Sequence, residues 1–213
     1  MQTASPTGHR PRQNRVLPTG EIVAIPERGL LMGNRGILHD ADGRLGVSRW
    51  KHPHWICCVL SFKERRREVM APGRYTELFF LDEAVALAAG HRPCAECRRQ
   101  NYVRFGDAWE RAFGRRERAA GIDRRLHSDR VGQDRGQRRH AAALHDLPDG
   151  AMVSDRGAAA LVLQGALRQF SPGGYGSPQT RPPETRVEVL TPRATVEVLR
   201  AGYYPQLHPS ASV

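Results

Sequence analysis

Lysine is almost missing from this chain. Of 33 basic side chains only Lys51 and Lys63 are lysine, and the rest are arginine. Long apolar runs are missing too. No window approaches the roughly 18 consecutive apolar residues that a membrane span needs, and the polar start MQTASPTGHRPRQNR does not read as a secretion signal. Cysteine is sparse, at four in 213 residues, which excludes a dense disulfide scaffold. Together these features place the expected location in the cytoplasm, where thiols stay reduced. Two further patterns are lacking. Gly173-Gly174-Tyr175-Gly176 follows a proline and precedes no helix, so it is no phosphate loop. No βαβ pattern flanks the cysteines, which argues against a thioredoxin-like redox site.

What is present is positive charge. The 33 basic residues against 22 acidic ones leave a formal net charge of +11. A basic surface attracts polyanions, and nucleic acid, DNA in particular, is the expected partner. Arg65, Arg66, Arg67, Arg98 and Arg99 flank the apolar and cysteine-bearing segments and are the candidate phosphate contacts. An acidic protein partner would use the same charge.

The pattern of elements runs strands, helices, then strands again, which predicts an α+β fold. Residues 1–19 read as a disordered basic leader. Short apolar runs at Glu21–Ile25 and Leu30–Met32 precede a clear strand at Trp55–Phe62. Val69–Met70 is a possible hairpin partner, and Tyr75–Phe80 reads as a further strand. Asp82 can cap a helix over Glu83–Ala89, with Gly90 as its stop. Tyr102, Phe105, Trp109 and Phe113 recur at helical spacing and predict a core-facing stripe. Residues 115–147 are Arg- and Ala-rich and read as a basic helical or linker segment. Beyond them come strands at Ala151–Ser154, Ala159–Leu163, Ala166–Phe170 and Val187–Leu190, a Gly/Pro/Ser loop over Pro172–Pro183, and a short helix at Thr195–Ala201. The expected division is 20–114, 115–147 and 148–213.

The chemistry concentrates in Leu81–Arg99, LDEAVALAAGHRPCAECRR. Cys94 and Cys97 sit three apart where a helix begins, so one turn brings both sulfurs to one side. Zinc takes four such ligands at about 2.3 Å. The other two cysteines, Cys57 and Cys58, are adjacent on a predicted strand and must point to opposite faces. One of them can join Cys94 and Cys97; Cys58 shares its face with Ile56, Leu60 and Phe62. The fourth ligand is a histidine, an acid or water. His54 is the candidate, provided that Pro53 turns the chain, because four extended residues span ~13 Å. The expected metal set is Cys58, Cys94, Cys97 and His54, with Cys57 as the alternative to Cys58 and zinc as the cofactor. His127 in Leu-His-Ser-Asp and His208 in Leu-His-Pro-Ser are weaker candidates for acid–base chemistry.

The stretch Phe80–Cys97 resembles the zinc-binding domain at the N-terminus of the Ada DNA-repair protein. Glu83, Ala84, Ala89, Gly90, Arg92, Pro93, Cys94 and Cys97 carry the likeness. The resemblance implies a small α+β domain that holds one zinc through cysteines, with a link to DNA repair. In that family a zinc-bound thiolate can accept an alkyl group from DNA. Here the first two cysteines are adjacent, not spaced, so the resemblance implies a structural zinc site more than an alkyl acceptor. Enzymatic alternatives are alkyl transfer to a zinc thiolate and phosphodiester hydrolysis.

Overall fold

The computed structural model describes residues 10–65, 68–133 and 135–212. It is an α+β fold with two six-stranded sheets. The first sheet contains β1 (Gln13–Val16), β2 (Ile22–Ala24), β3 (Leu31–Asn34), β4 (Ile56–Val59), β5 (Leu78–Phe80) and β6 (Arg92–Pro93), in the order β2-β1-β5-β3-β4-β6. Its pairs are antiparallel except β1 with β5 and β4 with β6, which run parallel. The second sheet is antiparallel throughout. It is built from β7 (His140–Ala143), β8 (Met152–Asp155), β9 (Ala158–Leu163), β10 (Ala166–Ser171), β11 (Gly174–Gln179) and β12 (Arg186–Val189), in the order β11-β10-β9-β8-β12-β7.

Tight turns set the register of the second sheet. Arg156-Gly157 and Gln164-Gly165 are two-residue loops with positive φ at both positions. Such turns match the right-handed twist of the strands they join. Pro172-Gly173 closes the next hairpin, so the segment expected to be a Gly/Pro/Ser loop carries β11 instead. Pro178 is tolerated there because β11 is an edge strand, where no ladder hydrogen bond is demanded of the missing N–H.

Four helices complete the fold: α1 (Glu83–Ala88), α2 (Arg99–Phe113), α3 (Ala119–Arg130) and α4 (Arg193–Arg200). Phe105 and Trp109 on α2 join Ile122 and Leu126 of α3, Val196 and Leu199 of α4, and Val153, Val162 and Val187 of the second sheet in one core. The aromatic stripe of α2 is thus core, as its spacing predicts. A second core lies on the opposite face of the same sheet. There Met152, Leu161 and Leu190 meet Leu78, Phe80 and the alanines of α1. Every residue of α1 is buried. Its small side chains let two sheets close around it.

Three boundaries differ from the sequence reading. Residues 10–19, expected within a disordered leader, contain β1, held by Arg15 pairing with Phe79 and by buried Asn14 and Val16. Val69–Met70 is a turn, not a strand. Residues 115–147 hold the expected helix in α3, but also β7, and Ile122, Leu126 and Leu144 enter the core. Residues from both sides of position 147 pack in each core.

Candidate metal centre

Three cysteines meet where β4, β6 and the start of α2 converge. The two-residue β6 runs parallel to β4, with Ile56 opposite Arg92 and Cys57 opposite Pro93. The Cys94 N–H donates to the Cys57 carbonyl at 2.9 Å and fixes the next residue alongside the strand. Proline at 93 prevents helical continuation from α1, so the chain must extend here before turning. The Arg98 N–H then donates to the Cys94 carbonyl at 3.2 Å, and α2 opens. The Sγ atoms of Cys58, Cys94 and Cys97 all lie within 4.8 Å of one another. Thiolates around one tetrahedral zinc at 2.3 Å stand about 3.8 Å apart. Three soft donors this close could hold a metal ion after a small contraction.

The adjacent pair divides as strand alternation demands. Cys58 faces the cluster, whereas Cys57 is 1% exposed and packs in the core, its sulfur 3.3 Å from an Arg98 nitrogen. His54 is not brought to the cluster. Its Nδ1 lies 2.8 Å from Asp123 on α3, and Arg92 grips both oxygens of the same carboxylate at 2.7 and 2.9 Å. His54 precedes β4, and the carboxylate of Asp123 holds its ring on the α3 side. His54 is therefore not among the clustered candidate ligands.

The thiols differ electrostatically. Cys94 is pulled down to about 5, chiefly by a hydrogen bond from the Cys58 thiol and then by the N–H groups of Cys97 and Glu96, against the effect of burial. The Glu96 N–H stands 3.4 Å from the sulfur. Cys58 is pushed up because its proton is held by Cys94 and because it is largely buried. Burial also raises Cys97 and Cys57.

The cluster opens on a cavity of about 660 Å³. Ile56, Cys58, Leu60 and Phe62, the strand face singled out by alternation, all line it. Residues that the sequence did not single out complete the wall: Met32, Phe79, Glu77, Arg12 and Arg15. The signal for Arg15 was hidden because it sits in a stretch that composition assigns to a leader.

No family model, curated protein or solved structure matches the chain. The Ada-like reading accordingly rests on the motif of residues 80–97.

The expected phosphate contacts separate. Arg98 is 4% exposed and forms a two-pronged ion pair with buried Glu83 at 2.7 and 2.8 Å, so its charge is spent inside the fold. Arg65 pairs with Glu96 at 2.8 Å on the cavity rim. Arg99 is exposed, near the ring of Tyr102. Arg66 and Arg67 lie outside the described residues. The two weaker histidine candidates have structural partners. His127 packs edge-on to Trp50 and Trp55, while its neighbour Asp129 accepts from the Ala194 N–H that starts α4. His208 bonds to Ser210, whose oxygen accepts from the Tyr175 N–H. Among the described residues, no helix is long and apolar enough to cross a membrane.

Proposed function

We propose that the chain is a zinc protein in which Cys58, Cys94 and Cys97 hold one ion and the fourth position faces the cavity. The observation that carries this reading is the convergence of three sulfurs on a cavity wall. Closed structural sites use four protein ligands, whereas zinc sites that act on a ligand keep one position open. A bound zinc would keep all three sulfurs deprotonated at neutral pH and offer a Lewis-acidic position to an incoming donor. Arg92, through Asp123, braces the strand that presents Cys94. Such a site accepts a ligand, whereas a purely structural zinc site is closed by four protein donors.

Zinc content of the purified protein tests it. One zinc per chain is expected in the parent protein, in Cys57→Ser and in His54→Ala, with loss in Cys58→Ser, Cys94→Ser and Cys97→Ser. Retention of zinc in all three of the last group would end the proposal.

Association with nucleic acid, and through the Ada-like motif with DNA repair, is a second reading. The net charge of +11 favours it. Cations on a surface displace counterions from a phosphate backbone, so binding should weaken steeply with salt. Duplex DNA binding that does not respond to salt would remove this reading.

A further inference from the structure

One row of side chains crosses the floor of the cavity. Cys58 on β4 is paired with Met32 on β3, Met32 with Phe79 on β5, and Phe79 with Arg15 on β1. All four line the cavity. Residues opposite one another on neighbouring strands project to the same side of the sheet. The row therefore reads thiol, thioether, phenyl ring, guanidinium. Three interstrand steps separate its ends, about 14 Å at the usual strand spacing.

The two ends differ in chemistry. At one end lies the cysteine cluster. At the other, the Arg15 guanidinium rests over the Phe79 ring at 4.8 Å. Its Nε donates to the Glu27 carbonyl and its Nη1 to Asn14. Among the described residues its Nη2 has no hydrogen-bond partner. Arg28, also in the wall, forms no ion pair or hydrogen bond among the described residues; burial and then the charge of Arg28 hold the Arg15 pKa down, against the raising effect of Glu27. Arg65 is paired with Glu96, and Arg12, Arg15 and Arg28 line the wall with one further carboxylate, Glu77, which accepts from the Met70 N–H at 2.7 Å. The charges of Arg15 and Arg28 repel, the nearby Glu27 carboxylate offsets part of that repulsion, and an anion between the two guanidiniums would relieve the rest.

We propose that this cavity binds an elongated organic anion with an apolar middle, whose carboxylate or phosphate meets Arg15 and Arg28 and whose thiol takes the fourth metal position beside Cys58. The inference rests on the zinc reading of the cluster and deepens it by naming the class of ligand. Met32 and Phe79 supply an apolar floor for the middle of the ligand, as pockets of this size do for small molecules. Arginine offers a planar fork that matches either acid group. The incoming thiol releases its proton to solvent as its sulfur coordinates the metal, and no electron changes hands.

Calorimetric titration of the zinc-loaded full chain with mercaptoundecanoate, mercaptohexanoate, undecanoate and undecyl phosphate tests each end separately. Cobalt substitution adds a spectroscopic readout, since a fourth sulfur intensifies the sulfur-to-cobalt charge-transfer band. Mercaptoundecanoate should bind tightest, and the shorter thiol at least about tenfold more weakly, because it cannot reach both ends. Arg28→Met and Arg15→Met should each weaken undecanoate about tenfold, the loss of one charge-assisted contact. The Arg28 side chain is exposed, so Arg28→Met is not expected to disturb folding. The relative affinities of undecanoate and undecyl phosphate identify which acid group the arginines prefer, and either order supports the anion end. Binding indifferent to chain length and to both arginine substitutions would overturn the proposal. If undecanoate still depends on the arginines but the thiol gives no advantage and no cobalt band change, the metal end is wrong. If the protein holds no zinc at all, the zinc reading fails by itself, and undecanoate binding to the metal-free chain still decides the anion end.

Discussion

Two adjacent sulfurs on β4 live in different media. Cys57 is sealed in the core beside Arg98, and burial keeps its proton on. Cys58 shares its proton with Cys94 at the cavity wall. Only the thiolate is nucleophilic, so Cys94 should react first with iodoacetamide at neutral pH and Cys57 not at all. The pKa of Cys94 is lowered, so its thiolate exists above about pH 5 and its alkylation should slow as pH falls through that value. Peptide mass mapping after short labelling checks the order; Cys57 labelled as fast as Cys94 would contradict it. Zinc uptake at pH 7 should also release the protons of Cys58 and Cys97, a release seen as a dependence of binding enthalpy on the buffer. Strand alternation made it legible in the sequence that one of the pair joins Cys94 and Cys97, and that Cys58 shares the face of Ile56, Leu60 and Phe62. The exclusion of His54 was not legible, because its partner Asp123 lies 69 residues away in a segment whose composition reads only as basic helical or linker.

At the scale of elements, α1 is the hub. It is six residues long and wholly buried, too short to be stable by itself. Side chains from elsewhere satisfy both of its ends. Asp82 caps it by accepting from the Val85 N–H at 3.0 Å, and also accepts from the Tyr175 hydroxyl on β11 and the His208 N–H. Glu83 binds Arg98 and accepts from the Tyr203 hydroxyl and the Gln206 N–H at 2.6 and 2.8 Å. At the other end Gln137, Arg35 and Arg130 donate to the carbonyls of Ala88, Ala89 and Gly90. Cations there also suit the helix dipole. Gly90 itself has φ +85, and a Cβ would strike the Arg130 side chain at 2.3 Å. Removing one partner of a buried ion pair leaves an uncompensated charge. Glu83→Gln should therefore cost roughly 3–5 kcal/mol, read as a lower denaturant midpoint. A cost below about 1 kcal/mol would show that the pair is not the tie described here. The cap at Asp82 and the stop at Gly90 were legible as local signals. The buried role of Glu83 was not, since its partners Arg98, Tyr203 and Gln206 come from two distant segments. β1 and β11 were missed for a related reason: one lies in a polar, arginine-rich stretch and one is rich in Gly and Pro, and only pairing with their neighbours makes them strands.

Over the whole molecule, charge is distributed unevenly between inside and outside. Arg35 and Arg130 are buried on the Trp55 ring, at 4.1 and 3.8 Å, and burial lowers both. His91 lies in contact with Phe80 and Trp55, neutral and held well below its ordinary value by burial and by these two arginines. His52, His127 and His140 are lowered as well, mainly by burial. A histidine whose folded pKa is depressed costs nothing above about pH 6.5, where both states are neutral, and favours the unfolded chain as pH falls below that. The melting temperature should therefore drop between pH 7 and pH 5.5, and a flat profile would contradict the burial of these rings. On the nucleic-acid reading, the remaining exposed arginines would contact the phosphates, and duplex DNA binding should then fall in part with Arg99→Ala and in full with salt. The central claim is the metal set. X-ray absorption at the zinc edge of the loaded protein measures it directly. The account predicts three sulfurs at about 2.3 Å and one lighter donor from water or ligand. Four sulfurs, or two with added histidine nitrogen, would contradict it.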